Sequence, residues 1–303
     1  MSNLNFSERF VGLRSAKRND KPLNLLVFLA LVVFVAPLNP SIIHAADFHS
    51  PRSVALGGAG RAGPLLNDAI LLNPSFAAFL KERVSAGFSY LTHGTNQDDR
   101  TYQVSLQDGR SPFFEAGLSY TRLESGSMIH FGASRSFIQR TGFGLGAKFL
   151  RPTHEGPLIA DASLSATAII TPEIQAALVV DNLVQGDLAR ANGNYREIAL
   201  GTKINIMKMI LLYIDPHYTP ELPSRFGERL GYSAGAELVM FQDVFLRAGT
   251  YRNAKQPILN SWGNGWGLGA GWLSPKISFD IGYTQATTPA PATLWNLGAT
   301  FYL

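Results

Sequence analysis

The chain has 303 residues, of which 46% are hydrophobic and 16% are charged, and it contains no cysteine. The lack of cysteine excludes a disulfide framework, a cysteine-ligated metal site and a lipid-modified cysteine. The formal net charge of +4 comes partly from basic side chains within residues 1–21, so it does not indicate a nucleic-acid partner.

The N-terminus is typical of a secretory signal peptide. Basic side chains precede an apolar run over residues 25–36, which is too short to cross a bilayer comfortably as a helix. Prolines and Ile43-His44-Ala45 follow, so small or aliphatic side chains stand where a signal peptidase reads the chain. We predict a signal peptide over residues 1–45, with an uncleaved anchor as the alternative. Beyond Ala45 no apolar run is long enough for a spanning helix, so a membrane protein would have to be a barrel.

Residues 46–82 do not alternate as strands do. They contain Gly57-Gly58-Ala59-Gly60-Arg61-Ala62, then Asn67-Asp68-Ala69, then Asn73-Pro74-Ser75. A dinucleotide-binding fingerprint would need a preceding strand, a following helix and a later acidic residue, and this context is missing. Glycine and alanine instead permit close packing of a plug against a barrel wall.

From residue 83 onward, apolar positions alternate with polar or small ones in fourteen segments that turn residues separate. Segments of about 9–11 residues match a tilted crossing of a bilayer. The predicted strands are 83–93, 100–108, 113–123, 128–137, 141–151, 158–170, 173–183, 195–206, 209–218, 229–240, 243–251, 262–273, 276–285 and 293–303.

The polar face of these strands carries almost one ionisable side chain per strand. In a barrel these side chains would line the interior, whereas in a soluble sandwich they would face water, and alternation alone does not separate the two. The predicted lumen-lining residues are Glu115, His130, Lys148, Asp161, Glu197, Lys203, Asp215, Glu237, Arg247 and Asp280. On the strand over 262–273, glycine occupies the whole inner face, which indicates either a curved wall or room for a plug or ligand.

The connections differ according to the strand that they follow. Those after even-numbered strands are short, whereas 184–194, 219–228, 252–261 and 286–292, all after odd-numbered strands, are longer. Outer-membrane barrels show this asymmetry, with short periplasmic turns and longer extracellular loops. The sequence therefore predicts an all-β fold, a fourteen-stranded antiparallel transmembrane β-barrel in the outer membrane.

The three N-terminal motifs, followed by fourteen strands, resemble the FadL-type outer-membrane superfamily, which includes fatty-acid and aromatic-hydrocarbon transporters and PorV-like proteins of type IX secretion. The resemblance implies an N-terminal hatch over residues 46–82 inside a barrel over residues 83–303. Ser75 stands where the family commonly has alanine. The predicted hatch and gating residues are Gly57, Gly58, Gly60, Asp68, Asn73 and Pro74.

The resemblance also implies that the last strand is recognised by the barrel-assembly machinery. Its aromatic and aliphatic positions are the predicted assembly signal: Trp295, Leu297, Phe301 and Leu303. The usual last residue of such a strand is aromatic, so Leu303 departs from the pattern.

The sequence supports neither a metal site nor an activated serine. The histidines after residue 45 are scattered, and no His-x-Glu or His-x-x-x-His motif occurs. Gly231-Tyr232-Ser233-Ala234-Gly235 has the Gly-x-Ser-x-Gly spacing but lies inside the predicted strand 229–240. We therefore predict no enzymatic activity, no catalytic residue, no metal and no cofactor.

These observations predict passive uptake of small hydrophobic molecules through an outer-membrane barrel, with outer-membrane lipid and a hydrophobic ligand as partners. One alternative is a PorV-like adaptor whose loops 184–194 and 219–228 bind a secreted or surface protein. Another is a structural barrel of the envelope.

Overall fold

The computed structural model describes residues 49–65, 68–80, 83–93, 100–111, 113–123, 126–138, 140–256 and 262–303. The predicted signal peptide lies outside these ranges, as does Asn67 of the second hatch motif. None of the helices within them is long and apolar enough to cross a membrane.

Fourteen antiparallel strands form one closed barrel, in which each strand pairs with its sequence neighbours and β14 closes the ring against β1. The predicted fold class is confirmed. The strands are β1 Val84–His93, β2 Arg100–Asp108, β3 Glu115–Arg122, β4 Ser127–Ile138, β5 Thr141–Arg151, β6 Ile159–Ile169, β7 Ile174–Asp181, β8 Glu197–Ile206, β9 Ile210–Tyr218, β10 Leu230–Met240, β11 Val244–Lys255, β12 Trp262–Leu273, β13 Ile277–Thr288 and β14 Ala292–Tyr302.

β11 and β13 continue three or more residues past the ends that the alternation predicts. β11 continues to Lys255 because the pairing with β12 shifts register between Tyr251 and Ala254, where Asn253 has a φ of 50°. This bulge interrupts the period of two and so conceals the end of the strand in the sequence. β13 continues to Thr288. The predicted loop 286–292 is therefore reduced to residues 289–291.

The barrel wall has an apolar outer face and a mainly polar inner face. Outward-facing side chains such as Leu145 and Leu164 remain 64% and 47% exposed, whereas inward-facing Gln103, Ser105 and Gln107 on β2 are buried. A soluble sandwich would bury its apolar face instead. The exposed belt of large apolar side chains is the arrangement of a barrel that faces lipid.

Most of the connections keep the predicted asymmetry. The connection at 289–291, after β13, is an exception. Residues 170–173 and 207–209, after β6 and β8, form short connections, whereas residues 182–196 and 219–229 join β7 to β8 and β9 to β10. The first of these long connections contains a helix, Asp187–Ala191, and the second a 3-10 turn, Ser224–Phe226. The end of the barrel that carries them is called the loop end below.

The hatch forms three short helical pieces: α1 Pro51–Ala55, α2 Asp68–Leu72 and a 3-10 helix Pro74–Phe79. Ser50 caps α1, since its hydroxyl accepts from the Ser53 N–H at 3.1 Å, and a proline opens the first turn. α1 contacts β11 to β14, whereas the 3-10 helix contacts β3 to β6. The described part of the hatch therefore crosses the barrel interior from one wall to the other.

Candidate functional site in the plugged lumen

Glycines on the inner wall allow α1 to approach the strand backbone. A Cβ atom at Gly269 on β12 would lie 2.5 Å from the Cβ of Ala55, and one at Gly235 on β10 would lie 2.9 Å from the carbonyl oxygen of Leu56. Neither position has space for a side chain. The glycine face of β12 therefore accommodates the hatch, one of the two explanations that the sequence left open.

A buried charge network joins α1 to the wall. The carboxylate of Glu237 on β10 accepts from Arg52 Nε at 3.2 Å and from Arg247 Nε at 2.6 Å, and Arg247 also binds Asp280. Arg52 Nη2 donates to the hydroxyl of Tyr213 at 2.7 Å. Burial alone would lower the pKa of Arg52, but Tyr213 and Glu237 hold it above its usual value, so the guanidinium stays charged.

Asp68 at the start of α2 lies near this network. Burial raises the pKa of its carboxyl to about 6, and the charge of Arg52 only partly opposes that rise. Asp68 belongs to the hatch rather than to a strand. Its protonation therefore changes the charge inside the hatch near neutral pH.

The glycine-rich motif is fastened at a second point. The backbone N–H groups of Gly60 and Arg61 donate to Asp215 Oδ2 on β9 at 2.8 and 2.9 Å. The guanidinium of Arg61 binds Glu197 on β8. Gly60 has a φ of 124°, a conformation that a side chain would strain. The motif thus presents two neighbouring N–H groups to one buried carboxylate.

The Asn-Pro turn is fastened at a third point, by hydroxyl groups. Asn73 Nδ2 donates to Thr167 Oγ1 on β6 at 2.7 Å, and the Ser75 hydroxyl lies 2.7 Å from the same oxygen. The Ser75 N–H donates to Ser165 Oγ at 2.9 Å. The serine that departs from the resembled motif therefore supplies a contact that alanine lacks.

The structure places all ten predicted lumen residues on the inner face. Glu115, His130, Lys148, Asp161, Asp215, Glu237 and Arg247 are buried, and Glu197, Lys203 and Asp280 are half-buried. They do not form one site, because they divide among several contacts at different heights of the wall.

Lys148 and Asp161 lie apart from the hatch network. Lys148 Nζ binds Asp181 at 3.2 Å and Asn182 at 3.1 Å. Asp161, its cross-strand neighbour, accepts instead from the Val184 N–H at 2.9 Å. His130 is the partner of Lys148 across β4 and β5, whereas Glu115 lies opposite Ser134 on β3 and β4.

The other predicted hatch residues also lie against the wall. A Cβ atom at Gly57 would lie 2.7 Å from the Thr250 nitrogen, and one at Gly58 would lie 3.2 Å from Ser233 Oγ. Pro74 lies beneath Gly132 of β4. Lys203 faces the hatch at Gly63, where an added Cβ would be 2.5 Å from its Cδ.

The sequence did not indicate three residues that join the hatch to the wall. Arg52 precedes the recognised motif, and Tyr213 was assigned only to a strand. Arg61 lies inside the glycine-rich motif but received no role. An arginine in a segment otherwise rich in glycine and alanine was the one available signal, because a buried guanidinium needs a carboxylate partner.

A cavity lies between the hatch and the loop end. Its unfilled space totals about 1080 Å³, including the part that opens to solvent. Hatch residues Val54, Leu71 and Pro74 line it together with Tyr195 of the 182–196 connection and Trp262 of β12. Tyr195, Phe226 and Trp262 form an aromatic cluster beside it, with ring centroids 5.5 to 6.1 Å apart.

An apolar layer lines another part of the interior near the loop end. Its members come from strand ends, from the 182–196 connection and from the hatch, and they form one contact cluster. The cluster contains Val54, Leu91, Leu123, Met128, Leu150, Ile159, Ala189 and Leu294, with Leu71 packed against it. Apolar side chains thus replace the polar lining that a water-filled porin has.

The predicted assembly residues lie on the outer face of β14. Trp295, Leu297 and Phe301 are 45%, 47% and 48% exposed, and Phe301 is the cross-strand partner of Ala86 on β1. The Leu303 N–H donates to the Val84 carbonyl at 3.0 Å. Within the described ranges, histidine, aspartate and glutamate form no group of three that could hold a metal ion.

No protein-family model matches the chain, and no curated protein sequence matches it. Solved structures do match. The CymD monoaromatic hydrocarbon channel superposes with a TM-score of 0.61 at 14% identity, over 86% of this chain and 99% of that chain. The Pseudomonas putida toluene transporter TodX gives 0.62 at 9% identity, over 86% and 99%. A Pseudomonas aeruginosa FadL homologue gives 0.57 at 11%, over 85% and 99%.

At these identities the likeness establishes the fold. The chain has the fold of the FadL-type outer-membrane barrels. It forms fourteen strands, and each superposition covers at least 85% of this chain and 99% of the matched chain. The resemblance that the three N-terminal motifs indicated is thereby confirmed at the level of the fold.

Proposed function

We propose that this protein is an outer-membrane barrel for passive uptake of small hydrophobic molecules. The apolar layer at the loop end carries the proposal, since Leu91, Met128 and Leu150 are fully buried side chains that point into the lumen. A hydrophobic solute gains contacts there that water does not, whereas an ionic solute loses its hydration. Two structural neighbours, described as a monoaromatic hydrocarbon channel and a toluene transporter, support the same class of solute.

The outer surface supports the location. Aromatic side chains stand among its aliphatic ones, as Trp272 and Phe279 do in a stacked pair with ring centroids 6.1 Å apart. Such an apolar belt with aromatic members is suited to the hydrocarbon and headgroup regions of a bilayer. We place the barrel in the outer membrane, after removal of residues 1–45, with lipid as its surrounding partner.

In this proposal the hatch, residues 46–82, is the gate. Its described part lies across the lumen and is held at Glu237, at Asp215 and at Thr167. A solute that has left the apolar layer must displace part of this segment. Binding and release then move the solute down its gradient without chemistry. Gly57, Gly58 and Gly60 set how closely the gate approaches the wall, and Asp68, Asn73 and Pro74 shape its second half.

A reversible cross-link tests the gate. The chain has no native cysteine, and Ser75 Oγ lies 2.7 Å from Thr167 Oγ1, so Ser75→Cys with Thr167→Cys places two sulfur atoms within bonding reach. The measurement is initial uptake of labelled toluene by Gram-negative cells that lack their own hydrocarbon channels. We expect oxidation to reduce uptake to the level of cells without the barrel, and reductant to restore it.

Each single-cysteine variant, oxidised in the same way, is the matched control, because it carries one of the two substitutions but cannot form the bond, and its uptake should not respond to oxidation. Gel mobility verifies that the bond has formed. Uptake that stays unchanged in the cross-linked barrel would show that the Asn-Pro turn is not part of the gate. Equal uptake with and without the barrel would contradict the transport function, and a stable protein partner in a pull-down would then favour the adaptor.

A further inference from the structure

Three side chains that line the loop-end cavity have a buried polar atom with no hydrogen-bond partner among the described residues. These atoms are Nδ1 of His217 on β9, the hydroxyl oxygen of Tyr251 on β11 and Nε1 of Trp262 on β12. His217 is 3% exposed and Trp262 is 4% exposed. A buried donor or acceptor left unpaired is unfavourable, and such groups are normally satisfied by water or by a ligand.

The hydrogen-bonding role of each atom follows from its surroundings. His217 Nε2 lies 3.2 Å from the backbone carbonyl oxygen of Asn253. A carbonyl can only accept, so Nε2 is the donor of this contact, and Nδ1 is the acceptor of the tautomer that has its proton on Nε2. The indole Nε1 of Trp262 can only donate. The cavity therefore offers an unused acceptor at His217, an unused donor at Trp262 and the hydroxyl of Tyr251, which can act as either.

The surroundings of Trp262 are suited to an aromatic ring. Its indole is in contact with the rings of Tyr195 and Phe226, each with a centroid separation of 5.5 Å. Leu222 belongs to the same buried cluster. A ligand ring that enters beside this cluster gains the offset or edge-on aromatic contacts that pairs of rings favour.

The charged side chains at this cavity are engaged with partners of the protein itself. Lys148 binds Asp181, and Arg61 binds Glu197 and lies 3.8 Å from Asp215. An anionic ligand would have to compete with these carboxylates, and it would also face the lone pair of His217 Nδ1. The unused groups consequently favour an uncharged ligand.

We propose that the loop-end cavity is a binding site for hydroxylated aromatic molecules of the phenol class. The ligand hydroxyl donates its proton to His217 Nδ1, and its oxygen accepts from Trp262 Nε1–H. A hydroxyl group supplies both functions at once, a plain hydrocarbon supplies neither, and a carboxylate cannot donate. This inference rests on the proposed uptake function and names its preferred solute.

Two ligands that differ in one group test the proposal. p-Cresol and p-xylene have nearly the same shape, but only p-cresol has the hydroxyl. Binding of each labelled compound to the purified full-length barrel at neutral pH is measured by equilibrium dialysis. We expect Trp262→Phe, which keeps a ring and removes the N–H, to weaken p-cresol binding about tenfold and to leave p-xylene binding unchanged.

His217→Leu is a second, independent variant and is expected to have the same selective effect. Trp266→Phe is the matched control, because Trp266 lies on the same strand but is 40% exposed. It should change neither affinity. Heat modifiability in gels verifies that each variant is a folded barrel.

The outcomes separate this inference from the proposed function. Equal affinities for p-cresol and p-xylene, unaffected by either variant, would overturn the hydroxyl site and leave hydrocarbon uptake standing. Tighter binding of 4-methylbenzoate than of p-cresol would also overturn it, in favour of an anion site. If no compound binds and cells with and without the barrel take up toluene equally, both the inference and the uptake function are wrong.

Discussion

Arg247 and Glu237 are cross-strand partners on β11 and β10, and Arg247 Nε lies 2.6 Å from Glu237 Oε2. The same carboxylate oxygen lies 3.2 Å from Nε of Arg52 in the hatch. One wall carboxylate therefore neutralises a cation of the wall and a cation of the hatch. The position of α1 therefore depends on Glu237, a side chain of the barrel wall.

Glu237→Gln is expected to lower the free energy of unfolding by about 3–5 kcal/mol, because it leaves two buried guanidinium groups without their shared counter-charge. Urea unfolding in detergent micelles measures the change. Asp108→Asn is the control, since Asp108 and Arg110 form an ion pair exposed to solvent that contributes about 0–1 kcal/mol. Equal effects of the two substitutions would contradict the role given to Glu237.

Gly57→Ala is expected to loosen the hatch. Gly57 has a φ of 65°, and an added Cβ would lie 2.7 Å from the backbone nitrogen of Thr250. Strain of about 1–3 kcal/mol should raise the protease sensitivity of residues 51–62. Gly186→Ala is the matched control, because a Cβ there meets no atom within 4 Å. Sensitivity that rises equally in both variants would point to a general effect of alanine.

The strands of the barrel could be predicted from the sequence, because the alternation of apolar and polar side chains that defines them depends only on neighbouring residues. Thr141–Arg151 alternates strictly, and β5 has those bounds. The bulge at Asn253 and the extension of β13 were not predictable, since each departs from the period of two. The hatch contacts were not predictable either. The bond between Arg52 and Glu237 joins residues 185 positions apart, and alternation indicates which face a side chain occupies but not which partner crosses the lumen.

Asp68 is expected to make stability depend on pH. Burial raises the pKa of its carboxyl from 3.8 to about 6, so between these values the folded protein binds more protons than the unfolded chain. Stability from this group is present at low pH and is lost as pH rises through that window, by about 2–3 kcal/mol. The free energy of unfolding of the wild type and of Asp68→Asn is measured at pH 4 to 8. The difference between the two proteins should change with pH by the amount given above. A difference independent of pH would contradict the assignment.

Phe301→Asp is expected to impair assembly, because it places a charge on the outer face of the strand that pairs with both β1 and β13. Deletion of Leu303 should have a smaller effect, since it removes one backbone hydrogen bond, to Val84. The fraction of heat-modifiable protein in outer-membrane preparations reports both. Normal insertion of the Phe301→Asp barrel would show that this strand carries no such signal.

The crossing of the lumen by the hatch has a mechanical consequence. α1 is joined to β10 and β11 through Arg52 and Glu237, and the Asn-Pro turn is joined to β6 through Thr167. A barrel wall without contacts across its lumen deforms easily. A wall whose sides are connected through the hatch resists that deformation. The rigidity of the barrel therefore depends in part on a segment that is not one of its strands.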